Sequence, residues 1–241
     1  MPLQRVDDAT IAVETLGDSG PIILFESGLA QDMGSWSEVV CALAASARTV
    51  RYDRLGIGKS GPRDTAKPVL ASTVVDELSA LLRVLRLPPP YVLVGHSLGG
   101  LYVQAYARAR PQEIAAVVLV DSASPFEPPG VFGLNTPAAP GSVAAAEEAG
   151  FTPSVAAMLA GPPFPPVPLI VLVATSHGVA PEIEALWQDV QARTAALSPK
   201  SRLEIVQGSG HCIQIDRPQA VVKAVVWAAR EAGTSVSGCL R

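Results

Sequence analysis

The chain has little with which to crosslink itself. Its three cysteines, Cys41, Cys212 and Cys239, are odd in number and widely spaced. They match neither a disulfide framework nor a zinc site, so no metal is expected. Charged residues make up 17% of the chain and the net charge is −4, with no basic block. That argues against nucleic acid or an anionic membrane as a partner. No apolar run approaches the roughly 20 residues that span a bilayer, so no membrane span is expected. The start, Met1-Pro2-Leu3-Gln4-Arg5-Val6-Asp7-Asp8, lacks the apolar core of a secretory leader. A cytoplasmic location is the expectation. There is no internal repeat.

What is present is apolar residue in quantity, 49% of 241 positions. That is a globular composition, large enough for one packed α/β domain over residues 1–241. Short apolar runs alternate with helical patterns. Strands are predicted at 10–16, 22–25, 49–52, 91–94, 114–120, 169–173 and 203–206. Helices are predicted at 35–44, 72–87, after residue 100, at 182–197 and at 217–232. Several strands have no polar face, which implies a mostly parallel sheet covered on both sides. Ligands of such sheets bind beyond the carboxyl ends of the strands.

The pattern is anchored by Tyr91-Val-Leu-Val-Gly-His-Ser-Leu-Gly-Gly100. Pro88 to Pro90 forbid a helix before it, and no breaker follows until Pro111. Ser97 therefore sits where a strand turns sharply into a helix. Gly95 and Gly99 leave room for the close backbone approach of such a turn. The helix start offers unpaired N–H groups and a positive dipole end beside the serine. Those are the needs of a serine nucleophile.

Gly95-His96-Ser97-Leu98-Gly99-Gly100 resembles the nucleophile elbow of the α/β-hydrolase family, and the likeness extends over nearly the whole chain. The resemblance implies a Ser–acid–His triad and no cofactor. His211, in Gly208-Ser209-Gly210-His211 after the last strand, holds the place of the family's base. His96 adjoins the serine and is read as packing or pocket wall. His177 is read as a surface loop residue. The family's commonest acid position, here Ala174 to Gly178, holds no carboxylate. The other known position is one strand earlier, where Asp121 closes a buried apolar strand. A carboxylate there needs a partner, and an imidazole N–H fits. Asp121 is the expected acid, with Glu182 as runner-up. The oxyanion hole is expected from the backbone N–H groups of Leu29 and Leu98. The loop Asp53-Arg54-Leu55-Gly56-Ile57-Gly58-Lys59-Ser60 resembles a family segment read as structural, and Glu26 is paired with Arg54 as a conjecture.

Residues 124–168 contain eleven of the 22 prolines. That density is read as ruling out long helices. The resemblance implies a small cap inserted over the active site. Phe126, Phe132, Phe151 and Met158 from it, with His96 and Cys212, are the expected pocket. The activity implied is hydrolysis of a small, mostly apolar carboxylic ester, lactone or thioester, with that small molecule as the partner. A lyase, a carbon–carbon bond hydrolase or a non-catalytic ligand-binding member of the fold are the alternatives.

Overall fold

A computed structural model describes residues 2–132, 137–234 and 236. Eight strands form one sheet: β1 (Leu3–Val6), β2 (Ala9–Leu16), β3 (Ile22–Glu26), β4 (Arg48–Tyr52), β5 (Tyr91–His96), β6 (Ile114–Val120), β7 (Leu169–Ala174) and β8 (Ser201–Val206). The helices are α1 (Ser37–Leu43), α2 (Ala71–Val84), α3 (Leu98–Ala109), α4 (Val143–Ala160), α5 (Pro181–Ala195), α6 (Ile213–Asp216) and α7 (Pro218–Glu231). The strand order is β1-β2-β4-β3-β5-β6-β7-β8. Strands β3 to β8 run parallel, and β1 and β2 are antiparallel. β1 is not foreseen in sequence. Of its four residues only Val6 is buried, so it carries almost no hydrophobic signal.

Burial explains the apolar strands. In β5, Leu93 faces the core shared with α2 and α3, through Val74, Leu78, Leu81 and Leu101. Its neighbours Val92 and Val94 face the opposite core, shared with α1 and α7 through Val39, Leu43, Val221 and Val225. Two helical layers thus remove the polar face that a half-exposed strand would show. The chain steps from β3 to β4 on one side and then to β5 on the other. That reversal is a switch point at the carboxyl ends of β3 and β5, where such folds place their sites. Among the described residues no helix is long and apolar enough to cross a membrane.

The β6–β7 insertion corrects the sequence reading. It contains α4, 18 residues long, with Pro153 inside it. The prolines cluster on either side, at 125–140 and 162–168, and leave an alanine-rich run between. Alanine is the strongest helix former, and one internal proline removes a single donor. Ser142 caps the helix by accepting from the Ala145 N–H at 3.2 Å. Tertiary contacts then hold it. The Val69 N–H donates to the Ala146 carbonyl (2.8 Å), and the Ala71 N–H to the Ser154 hydroxyl (2.9 Å). Gly150 permits this crossing, because a Cβ there would lie 1.8 Å from the Val69 carbonyl oxygen.

Candidate active site

Ser97 joins β5 to α3 with φ 50° and ψ −125°, a strained pose for a residue with a Cβ. The turn persists because its surroundings leave no alternative. The Ser97 carbonyl accepts from Gly100 and Ala123, both at 2.9 Å. Gly99 packs so tightly on β3 that a Cβ would come within 2.4 Å of the Glu26 and Ser27 carbonyl oxygens. The Ser97 side chain is left partly exposed at the sheet edge, with no hydrogen-bond partner among the described residues. Leu98 opens α3, so its N–H lacks an intrahelical acceptor.

Asp121 follows β6 at the same edge, with φ 41° and no exposed surface. Four donors hold it. Oδ1 accepts from the Ala174 N–H (3.0 Å) and the Trp187 indole N–H (2.8 Å). Oδ2 lies 2.7 Å from His211 Nδ1 and 2.7 Å from His177 Nε2. Burial alone would raise this carboxyl, but the two imidazoles hold it well below the usual carboxylate range. With Nδ1–H given to Asp121, neutral His211 carries its lone pair on Nε2. Glu182 lies elsewhere, exposed in the first turn of α5.

His177 lies in the loop between β7 and α5, as sequence reasoning expected, but it does not stand free at the surface. Its side chain is 15% exposed and bridges Asp121 to Glu184 on α5. The available signal was its position just past a buried strand, on the edge that carries Asp121. His96 is buried, donates Nε2–H to the His211 carbonyl (3.0 Å) and sets Nδ1 3.0 Å from the Gln31 carboxamide. Burial, reinforced by His211, pushes it down to about 3, so it is neutral.

Glu26 belongs to a buried ionic cluster around Arg54. The guanidinium meets Glu26 at 2.7 Å and grips Glu147 of α4 at 2.7 and 3.0 Å. It also donates to the carbonyls of Ser27 (2.6 Å) and Gly28 (2.7 Å). Tyr52 donates its hydroxyl to the other Glu26 oxygen. Glu147 in turn accepts from the Ala30 N–H at 2.9 Å. Leu29 therefore lies in a loop clamped on both sides by charge-assisted bonds. The Arg54 segment, read as structural, sets the loop expected to supply an oxyanion donor.

The other pocket candidates scatter. Phe132 packs edge-on against Trp187, with ring centroids 4.8 Å apart. Phe126 lies under the Arg193 guanidinium, 4.7 Å from its carbon. Phe151 packs, half-buried, on the core beneath α2 and α3. Met158 is not brought to Ser97: it lines a groove with Ala71, Val75 and Ala105, which Ser97, Asp121 and His211 do not line. Its apolar character reports docking of α4. Cys212 is half-buried, and Gln31 Nε2 approaches its sulfur at 3.6 Å. Burial raises its thiol. Cys41 is exposed, and Cys239 lies outside the described residues.

The serine thus stands on a strained strand-to-helix turn at a switch point of a mostly parallel α/β sheet, whose next strand, β6, ends in the carboxylate of the Asp121–His211 pair. A family model described as the alpha/beta hydrolase fold matches residues 21–160. The chain belongs to the alpha/beta hydrolase fold family. It is 29% identical over 222 residues to the uncharacterized protein YqjL of Bacillus subtilis, covering 88% of this chain and 86% of that one. It is 32% identical over 104 residues to the putative carbamate hydrolase RutD of Klebsiella pneumoniae, covering 42% of this chain and 37% of that one. In structure it is similar to a thermophilic esterase from Thermogutta terrifontis (TM-score 0.72, 22% identity, 93% and 94% coverage). At that identity the likeness concerns the fold.

Proposed function

We propose that this protein is a serine hydrolase cleaving a small, mostly apolar carboxylic ester, with a lactone or thioester as close variants. One domain, 1–241, carries the site, and residues 124–168 act as its cap. The reading rests on one observation above all. His211 gives Nδ1–H to the buried Asp121 at 2.7 Å, on the sheet edge where Ser97 is held at positive φ. His211 Nε2 then takes the Ser97 proton as Oγ attacks the acyl carbon. The N–H groups of Leu98 and Leu29 receive the developing oxyanion. The proton passes to the leaving alkoxide, and water resolves the acyl-enzyme by the same route.

The test is a substrate panel with the purified protein and its Ser97→Ala variant. Esters with acyl chains of graded length, lactones, thioesters, carbamates and a 1,5-diketone cover the competing chemistries. Ester turnover is expected to peak at short acyl chains, because the insertion spends α4 on docking to the core. Ser97→Ala is expected to lose on the order of 10⁶ in kcat and all labelling by a fluorophosphonate. A variant that kept a tenth of the parent's turnover would remove Ser97 as the nucleophile.

A further inference from the structure

The mechanism above leaves His177 without a task, yet it is among the most constrained side chains at the site. Nε2 is 2.7 Å from Asp121 Oδ2, and Nδ1 is 2.9 and 3.0 Å from the two Glu184 oxygens. An ionised carboxylate can only accept a hydrogen bond. Each contact therefore needs an N–H, and an imidazole with two N–H groups is a cation. The Asp121 carboxylate oxygen and the ring nitrogens of His177 and His211 that face it lie within 4.8 Å of one another. A single carboxylate oxygen thus serves two imidazoles.

The charges around this ring come from every side. Asp121 stands at the end of β6, Glu184 on α5, and the His211 ring lies 6.1 Å away in centroid distance. The Trp187 indole covers it edge-on at 5.7 Å. Beyond Asp121 is Glu127, whose carboxyl burial pushes up to about 7 even though it accepts the Ser124 N–H. The hydrogen bond to Asp121, assisted by Glu184 and opposed by burial, pushes His177 up to about 9.

Resting on the hydrolase reading, we propose that His177 is a bridge between Glu184 and the triad acid that stays protonated at neutral pH, and that its charge opposes a proton on His211. A triad acid normally stabilises the imidazolium of its partner. Here the same carboxylate oxygen also holds a second cation. The expected consequence is a pH range of hydrolysis that extends downward. His177 touches no reacting atom; it is a positioning and charge-setting residue.

Two measurements test this. The first titrates the Ser97→Ala protein with isotope-labelled histidine and follows the ring nitrogens by NMR; with three histidines in the chain, assignment is direct. His177 is expected to hold both N–H protons at pH 7 and to lose one near pH 9. A neutral His177 at pH 7 overturns the proposal. The second compares kcat/KM against pH for the parent and His177→Gln. Glutamine keeps a donor for Asp121 and removes the charge. The acidic limb is expected to rise by about one pH unit, the size of effect a neighbouring charge exerts. A limb that stays, or moves down, overturns the proposal, whatever happens to the plateau. Failure of fluorophosphonate to label the parent overturns the hydrolase reading itself, and the NMR titration is read without reference to turnover.

Discussion

Asp121 shows what one buried carboxylate demands. Its charge is kept by four hydrogen bonds from β7, α5 and two histidine loops. Glu182, by contrast, has a complete explanation in the first turn of a helix, where a carboxylate meets the positive dipole end. The two carboxylates therefore give a clean comparison. Asp121→Asn is expected to favour the wrong His211 tautomer and to cost on the order of 10⁴ in kcat at neutral pH. Glu182→Gln is expected to leave activity near the parent's. Steady-state rates on one ester decide it, and the reverse ranking would move the acid to α5.

At the level of elements, the notable joint is between α4 and the loop after β3. Glu147 contributes no exposed side chain and holds both Arg54 and the Ala30 N–H. Glu148, one residue on, is exposed. Breaking one partner of a buried, hydrogen-bonded pair leaves a charge stranded, at a cost of about 3–5 kcal/mol. Glu147→Gln is expected to lower unfolding stability by about that amount, while Glu148→Gln stays within about 0.5 kcal/mol. Urea denaturation reads both. Equal, small effects would show that α4 does not brace the loop.

For the whole molecule, pH sets two opposing slopes. His96 is neutral when folded, at about 3, and titrates near 6.5 when unfolded. The unfolded chain then binds the extra proton between those values. Stability from this group is complete above pH 6.5 and falls by about 1.4 kcal/mol per pH unit as pH drops toward 3. His177 has the opposite sign: its folded value is raised to about 9, so its contribution is present below pH 6.5 and is lost as pH rises through 9. Thermal midpoints are expected to decline on both sides of about pH 6.5. His96→Gln should flatten the acid side relative to the parent; an unchanged slope would mean that His96 is not held neutral.

The parallel sheet, the elbow and the positions of Ser97, Asp121 and His211 at strand ends were legible in sequence. Their signals are local: an apolar run, a glycine pair, a proline break, a carboxylate that closes a buried strand. What escaped was long-range. β1 is an edge strand with one buried residue, so its pairing with β2 leaves no hydrophobic pattern. α4 exists despite Pro153 because Val69, Ala71 and Arg54, remote in sequence, supply its contacts. His177 joins the site because β6 and β7 are neighbours and α5 turns Glu184 back over them. Local chemistry chose which residues stand at the edge of the sheet; only the packing of distant segments decided which of them meet, and with what charge.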